Sequence, residues 1–333
     1  MNNSILNLAA VFITGFLLTY LLTPIIAKIM FYFNKTGIDV HKLDKPKIPE
    51  ACGISIIVAM TVSVILLILL FPQFRTEFLA FIISGLIAGV IGFIDDLTNL
   101  GARMKPFLTA FSCIPILILG TYNPYPILPF IGKVRLTLVY PLLLPFALAV
   151  PANAVNMMDV FNGSMTGTSS IILFTLFACL MLAGKLEYAA LALALLGCLI
   201  AFYLFNRYPA KVFAGDTGSL FIGASIGALA ILGSIELVVI VALMPYIMNA
   251  FYGLSTVGRL YERRELKSRP IKLINNGKLA VTKDKKAPIT LVRLILARGP
   301  LKEYEIVKKM CILTAIASIL AIITYLFIGA TII

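Results

Sequence analysis

The sequence has no tryptophan, one histidine and few charges. His41 stands alone in 333 residues, so any chemistry must proceed without a histidine cluster. Charged residues make up 13% of the chain, against about a quarter in soluble domains, while 60% is hydrophobic and the mean hydropathy is +1.01. That shortage argues against a soluble globular class and favours a membrane protein. Acids are the scarcer sign: 15 Asp and Glu face 28 Lys and Arg, a formal net charge of +13. A basic surface facing anionic lipid and phosphorylated substrates accounts for the excess, so nucleic acid is not expected as a partner. The cysteines at 52, 113, 179, 198 and 311 form no Cys-x-x-Cys pair and lie mostly in or beside apolar runs, where neither a disulfide framework nor a zinc site is needed. No charge precedes Lys28, so the first apolar run reads as a retained helix rather than an export leader.

What is present is a series of apolar runs, roughly 17 to 25 residues each, long enough to cross hydrocarbon about 30 Å thick as helix. Spans are expected near 6–30, 53–71, 78–94, 106–121, 137–152, 165–184, 188–205, 217–233, 236–257 and 308–330. The expected fold is an all-α polytopic membrane protein of about ten transmembrane helices, one integral membrane domain over 1–333. Pro115, Pro141 and Pro145 interrupt the fourth and fifth spans.

The placement of Lys and Arg orients these spans. The odd-numbered loops and their flanks (28–47, 95–105, 206–211 and 259–309) hold 24 of the 28 basic residues, leaving only Arg75, Lys133, Arg135 and Lys185 elsewhere. By the positive-inside rule the odd loops are cytosolic and both termini lie outside. The expected location is the plasma membrane, or the endoplasmic reticulum if the source is eukaryotic. The last cytosolic loop, 259–307, is the only segment large enough for a small extramembrane unit. Two strand-like runs flank an Asn-Gly turn in 271–281, predicting a hairpin, and Pro288 to Leu296 reads as an interfacial helix. No internal repeat is evident, so an inverted-repeat transporter gains no support.

Four polar constellations interrupt this apolar background. Asp95 and Asp96 end a hydrophobic helix, followed by Asn99, Arg103 and Lys105. Adjacent carboxylates there are costly unless hydrated, paired or bound to a cation, although a solvated helix end is the plain alternative. The segment 153–163 carries Asn153, Asn156, Asp159 and Asn162; the first two share a helical face, and their oxygens suit a hard metal as well as ordinary capping. The segment 206–219 contains Arg207, Lys211 and Gly215-Asp216-Thr217-Gly218 without P-loop spacing, and Asp216 could merely cap a helix. Lys267-Ser268-Arg269-Pro270 lies in the basic last loop, where most charges serve topology but a guanidinium can grip phosphate bidentately.

All four constellations fall in odd loops. Carboxylates for a hard metal beside basic groups for phosphate describe phosphoryl transfer better than redox or serine chemistry. His41, among Lys42, Asp44, Lys45, Lys47 and two prolines, reads as surface or binding detail rather than a proton carrier.

These motifs, in this order, resemble the polyprenyl-phosphate N-acetylhexosamine-1-phosphate transferases of glycosyltransferase family 4, over essentially the whole chain. The resemblance implies a magnesium enzyme, with manganese as a substitute, that moves a sugar 1-phosphate from a UDP-N-acetylhexosamine to a polyprenyl or dolichyl phosphate and releases UMP. By motif, Asp216 would ligate magnesium, shared with Asn156, and Asp95 and Asp96 match the acidic pair implicated in handling lipid phosphate. Asn99 and Lys105 match pocket positions, Lys105 as a phosphate contact, and Asn162 matches a nucleotide-sugar contact. Asn153, Asp159, Lys267 and Arg269 complete the expected substrate-binding set. Lys267-Ser268-Arg269-Pro270 is closer to the eukaryotic dolichol type than to the histidine-rich bacterial motif, whereas Asp159 resembles the bacterial form. Such a mixture would suit an archaeal enzyme of the dolichyl-phosphate GlcNAc-phosphotransferase type. A transporter or an assembly protein is the rival class, and a homodimer stays open. The acids lie at span ends rather than centres, which disfavours transport.

Overall fold

The apolar runs are helical in the computed structural model, as hydrocarbon demands: a spanning segment has no water to satisfy its backbone and must close its own hydrogen bonds. The structure describes residues 2–259, 266, 268–274, 276–284 and 286–332. Along the chain run α1 (Asn2–Tyr32), β1 (Thr36–Ile38), β2 (Lys47–Pro49), α2 (Ile54–Leu70), α3 (Arg75–Thr98), α4 (Met104–Ala110), α5 (Ile114–Leu119), β3 (Ile127–Leu128) and β4 (Gly132–Lys133). There follow α6 (Tyr140–Met158), α7 (Ser164–Leu182), α8 (Leu186–Asn206), α9 (Gly215–Leu232), α10 (Glu236–Ala242), α11 (Met244–Val257), β5 (Ile271–Leu273), β6 (Leu279–Val281), α12 (Leu291–Ile295) and α13 (Glu303–Ile332).

Among the described residues seven helices are long and apolar enough to cross a membrane, namely α1, α3, α6, α7, α8, α9 and α13. An eighth results if α10 and α11, bent by 64°, are one span. By length and composition, seven or eight helices among the described residues could span a membrane, against the about ten expected. Of the remainder, α2 has only 17 residues, and the expected span at 106–121 is broken into α4, a 3-10 turn at Phe111–Cys113 and α5. Pro115 sits in the first turn of α5, where a missing N–H is tolerated, so it begins a new helix instead of continuing the old one. Pro141 takes the equivalent place in α6, which continues unbroken past Pro145 and Pro151.

Burial separates the centre from the periphery. The apolar window of α9 is 89% buried, against 22% for α1 and 28% for α13. Helix α9 is therefore the central post, packed between α3 and α6, while α1 rests on α8 and α2, and α13 on α7 and α10. Exposed Leu6, Leu21, Ile118, Leu142 and Phe146 leave the outer surface apolar, as a lipid-facing surface requires.

Three short antiparallel hairpins decorate the bundle. In β1–β2 Thr36 faces Pro49 and Ile38 faces Lys47; β3 pairs with β4. In β5–β6 Ile271 faces Val281, within the segment expected to form a hairpin, although Asn275 of its turn lies outside the described residues. Leu279 and Leu301 exchange backbone hydrogen bonds at 2.8 and 3.1 Å, tying this hairpin to the start of α13.

Candidate active site

The C-terminal end of α3 meets the N-terminal end of α9 at a separation that only glycine permits. A Cβ on Gly92 would lie 2.2 Å from the Asp216 carbonyl oxygen. Gly215 has φ +70°, and a Cβ there would stand 2.5 Å from the Asp96 carboxylate. With both side chains absent, the two helix ends touch through polar groups.

Asp96 uses this contact to cap α9 from a different helix. Its carboxylate accepts from Asp216 N at 2.8 Å, Thr217 N at 3.0 Å and Thr217 Oγ1 at 2.6 Å. Residue 214, at the cap position of α9, is alanine and offers no side-chain cap, so the orphan amides of the first turn are satisfied from α3. The cap anticipated for Asp216 thus belongs to Asp96, which frees the Asp216 carboxylate for other partners.

Asp95, one residue earlier, is rotated by about 100° around α3 and reaches another set of groups. Lys105, on α4, places its Nζ 2.6 Å from Asp95 Oδ2 and 2.6 Å from Asp216 Oδ2. The second Asp95 oxygen accepts from Leu100 N, and Asn99, in the left-handed conformation at φ 60°, closes α3 through its N–H to the Asp95 carbonyl at 2.8 Å. From α6, Asn156 Nδ2 donates to Asp216 Oδ1 at 2.7 Å and to Ser219 Oγ at 2.9 Å. Four helices thus converge on Asp216. Lys105 and Asp95 are 6% and 5% exposed, so their charges interact in a medium poorer in water than the surface.

Charge is unbalanced at this junction. Three carboxylates, those of Asp95, Asp96 and Asp216, face one ammonium. Glu50, between β2 and α2, adds a fourth: burial pushes its carboxyl above the ordinary range, Asp216 pushes it further, and Lys35 offsets part of the effect. A hard cation would relieve that excess. Among the described residues no group of three or more His, Cys, Asp or Glu forms a preformed metal cage. The carboxylate of Asp216 nonetheless suits magnesium, which takes one or two carboxylates and fills its shell with water and substrate phosphate, and Asn156, whose Nδ2 faces Asp216 here, would add its amide oxygen once its side chain turned over.

The other expected residues divide. Asn153 Nδ2 donates to Thr109 Oγ1 at 2.9 Å and to the Ala149 carbonyl at 2.8 Å, locking α6 against α4. Asp159 ends α6, with its N–H on the Asn156 carbonyl at 3.2 Å. Asn162 is held by Asp39 and Glu303. Arg207, Lys211 and Arg269 are exposed, and Arg269 makes no ion pair among the described residues; Lys267 lies outside them. The His41 ring packs on Phe161 at 4.7 Å. Sequence reasoning missed Thr109 and assigned no role to the hydroxyls of Thr217 and Ser219, whose partners Asp96 and Asn156 lie on other helices. It assigned no role to Asp39 and Glu303, because their shared partner Asn162 is 123 and 141 residues away.

Glycosyl transferase family 4 matches residues 78–234, the segment that carries Asp95, Asp96, Lys105, Asn156 and Asp216. The chain is 30% identical over 312 residues to a Saccharolobus solfataricus protein provisionally named UDP-N-acetylglucosamine–dolichyl-phosphate N-acetylglucosaminephosphotransferase, covering 93% of this chain and 94% of that one. A Sulfolobus acidocaldarius protein of the same provisional name is 29% identical over 331 residues, 96% of this chain and 97% of its own. The phospho-N-acetylmuramoyl-pentapeptide-transferase of Bacillus pumilus is 32% identical over 251 residues, 69% of this chain and 76% of its own. Similar along nearly its whole length to such proteins, and matched through the segment that builds the junction, this chain belongs to glycosyl transferase family 4, the superfamily of polyprenyl-phosphate sugar-1-phosphate transferases.

Proposed function

We propose that the protein transfers GlcNAc 1-phosphate from UDP-GlcNAc to a membrane polyprenyl phosphate of the dolichyl type. The products are GlcNAc-pyrophosphoryl-polyprenol and UMP, and the reaction would open a lipid-linked glycan assembly. The observation that carries this reading is the buried Asp95–Lys105–Asp216–Asn156 junction, which joins a surplus of carboxylate oxygen to a lysine of phosphate-binding type. The relatives named for dolichyl-phosphate GlcNAc transfer support the choice of substrates.

In this mechanism an oxygen of the lipid phosphate attacks the sugar-linked phosphorus, a new phosphoanhydride bond forms, and the bond to the UMP oxygen breaks with its electron pair. A phosphate monoester has its second pKa near 6 and is largely ionised at neutral pH, so the acceptor needs little help from a base. Asp95 therefore acts mainly by holding the Lys105 ammonium, which balances phosphate charge when substrates arrive. Asp216, with the amide oxygen of Asn156, would hold magnesium. That ion would neutralise the diphosphate and make UMP a better leaving group. Asp96 fixes the turn that carries Asp216. Arg269 and Lys267 would reach the nucleotide phosphates from the last loop, while Asn99, Asn153 and Asp159 shape the walls of the site. The site faces the cytosol in this reading, with both termini outside.

The test is a purified, reconstituted enzyme offered dolichyl and undecaprenyl phosphates against a panel of UDP-sugars, with the lipid product weighed by mass spectrometry. A GlcNAc-pyrophosphoryl-dolichol product is expected, and Asp216→Asn should lose magnesium-dependent transfer while still inserting in the membrane. Full transfer by that variant would overturn the metal assignment. The Bacillus relative favours a second reading, the same chemistry with a different UDP-N-acetylhexosamine and undecaprenyl phosphate, which the same panel distinguishes.

A further inference from the structure

Asn162 lies in the turn between α6 and α7 and is 4% exposed. Its Nδ2 donates to Asp39 Oδ2 at 2.9 Å and to Glu303 Oε1 at 2.6 Å, and its backbone N–H donates to the same Glu303 oxygen at 2.8 Å. Asp39 directly follows β1 and Glu303 opens α13, so one side chain joins three distant parts of the chain. Asp39 and Glu303 are each 4% exposed, and Lys42 Nζ, 2.5 Å from Asp39 Oδ2, supplies a countercharge. Buried carboxylates are retained at such a cost only where their partners are well placed.

An amide has two N–H bonds on one end and an acceptor on the other. Two carboxylates accept only from the N–H end, so they determine which way the Asn162 side chain points. Both hydrogens are engaged, and Asn162 Oδ1 is left buried without a hydrogen-bond partner among the described residues. A buried acceptor in that state is unfavourable unless a donor arrives from elsewhere. The arrangement is connected to the acid junction. The hairpin that begins beside Asp39 ends at Pro49, whose carbonyl accepts from Phe213 N at 2.8 Å, and Cys52 N and Gly53 N return to the carbonyls of Phe213 and Ala214 at 3.0 Å, just ahead of Asp216.

We propose that Asp39 and Glu303 are positioning residues. By holding both amide hydrogens of Asn162 they aim its Oδ1 as a fixed acceptor for an N–H or O–H donor of the nucleotide-sugar. This rests on the reading of the chain as a UDP-sugar transferase, and it adds two carboxylates from the first and last loops to the substrate-recognition machinery. Preorganisation of this kind lowers the cost of ordering the acceptor at the moment of binding.

The test uses the full chain in nanodiscs, with UDP-GlcNAc binding measured calorimetrically in the absence of lipid acceptor. Glu303→Gln and Asp39→Asn keep side-chain volume but remove the charges that orient the amide, and each should raise the Kd about tenfold, as should Asn162→Ala. In turnover assays KM for the nucleotide-sugar should rise while KM for dolichyl phosphate stays within about twofold. In the Asn162→Ala background Glu303→Gln should add less than about twofold, because nothing is left to aim. Wild-type affinity in both Glu303→Gln and Asp39→Asn would overturn the inference. So would a multiplicative effect of Glu303→Gln in the Asn162→Ala background, or a loss of lipid and nucleotide binding together with lowered thermal stability. A wild-type chain that binds no UDP-GlcNAc would overturn the transferase reading and this inference with it, whereas one that binds it and ignores both carboxylate variants overturns the inference alone.

Discussion

At the α3–α9 junction Lys105 is 6% exposed and bonded to two carboxylates, whereas Arg269 in the last loop is exposed and makes no ion pair among the described residues. Both are basic residues expected to meet phosphate. Burial makes the difference: a charge removed from water must have its partners in place before substrate arrives, while an exposed charge keeps water until phosphate displaces it. In the proposed function the junction would be a prearranged site, and the last loop a solvated surface from which Arg269 would join on binding.

The largest expected effect comes from removing the ammonium itself. Lys105→Met should leave Asp95 and Asp216 facing each other unpaired, lowering stability by about 3 kcal/mol and transfer by about three decades. Thermal unfolding and product formation measured on one preparation check it, and full stability would mean that the junction is hydrated rather than prearranged. Next is Gly92→Ala, whose Cβ would lie 2.2 Å from the Asp216 carbonyl oxygen. Forcing α3 and α9 apart should cost about 2 kcal/mol and displace the whole acid set, visible as a lowered unfolding temperature with loss of transfer.

A finer contrast lies between neighbouring acids. Asp96→Asn weakens the cap of α9 and should cost about 1 kcal/mol, with activity falling in step. Asp95→Asn should reduce transfer more than its stability loss accounts for, because Asp95 holds Lys105 as well as the Leu100 N–H and takes no part in capping α9. Equal ratios of activity loss to stability loss in the two variants would break the assignment of separate duties. The smallest structural effect should be that of Arg269→Ala: within about 0.5 kcal/mol in stability, but with a raised KM for the nucleotide-sugar. A large fall in unfolding temperature would show that the loop is built like the junction after all.

Parts of this arrangement were legible in the residues. Asn153 and Asn156, three apart, do share helix α6, and the runs flanking 274–278 do pair as strands. The broken stretch at 106–121 was signalled by Pro115, though not the fact that α4 and α5 would be too short to count as one long helix. The separate tasks of Asp95 and Asp96 were not legible, since adjacent letters in a sequence carry no direction and α9 had first to be laid against α3. Nor was the attachment of Asn162 to Asp39 and Glu303, which are 123 and 141 residues away.

The sequence by itself determined that this is an apolar, helical, membrane-embedded chain whose acids and amides gather at helix ends. Hydrophobicity and helical period are local properties, and water or lipid acts on each segment separately. Tertiary structure alone decided which carboxylate caps a helix, which shares the lysine and which amide is clamped. Those outcomes depend on distances of a few ångströms between helices remote in sequence, and at such distances a single absent Cβ or a rotation of about 100° changes a side chain's partner.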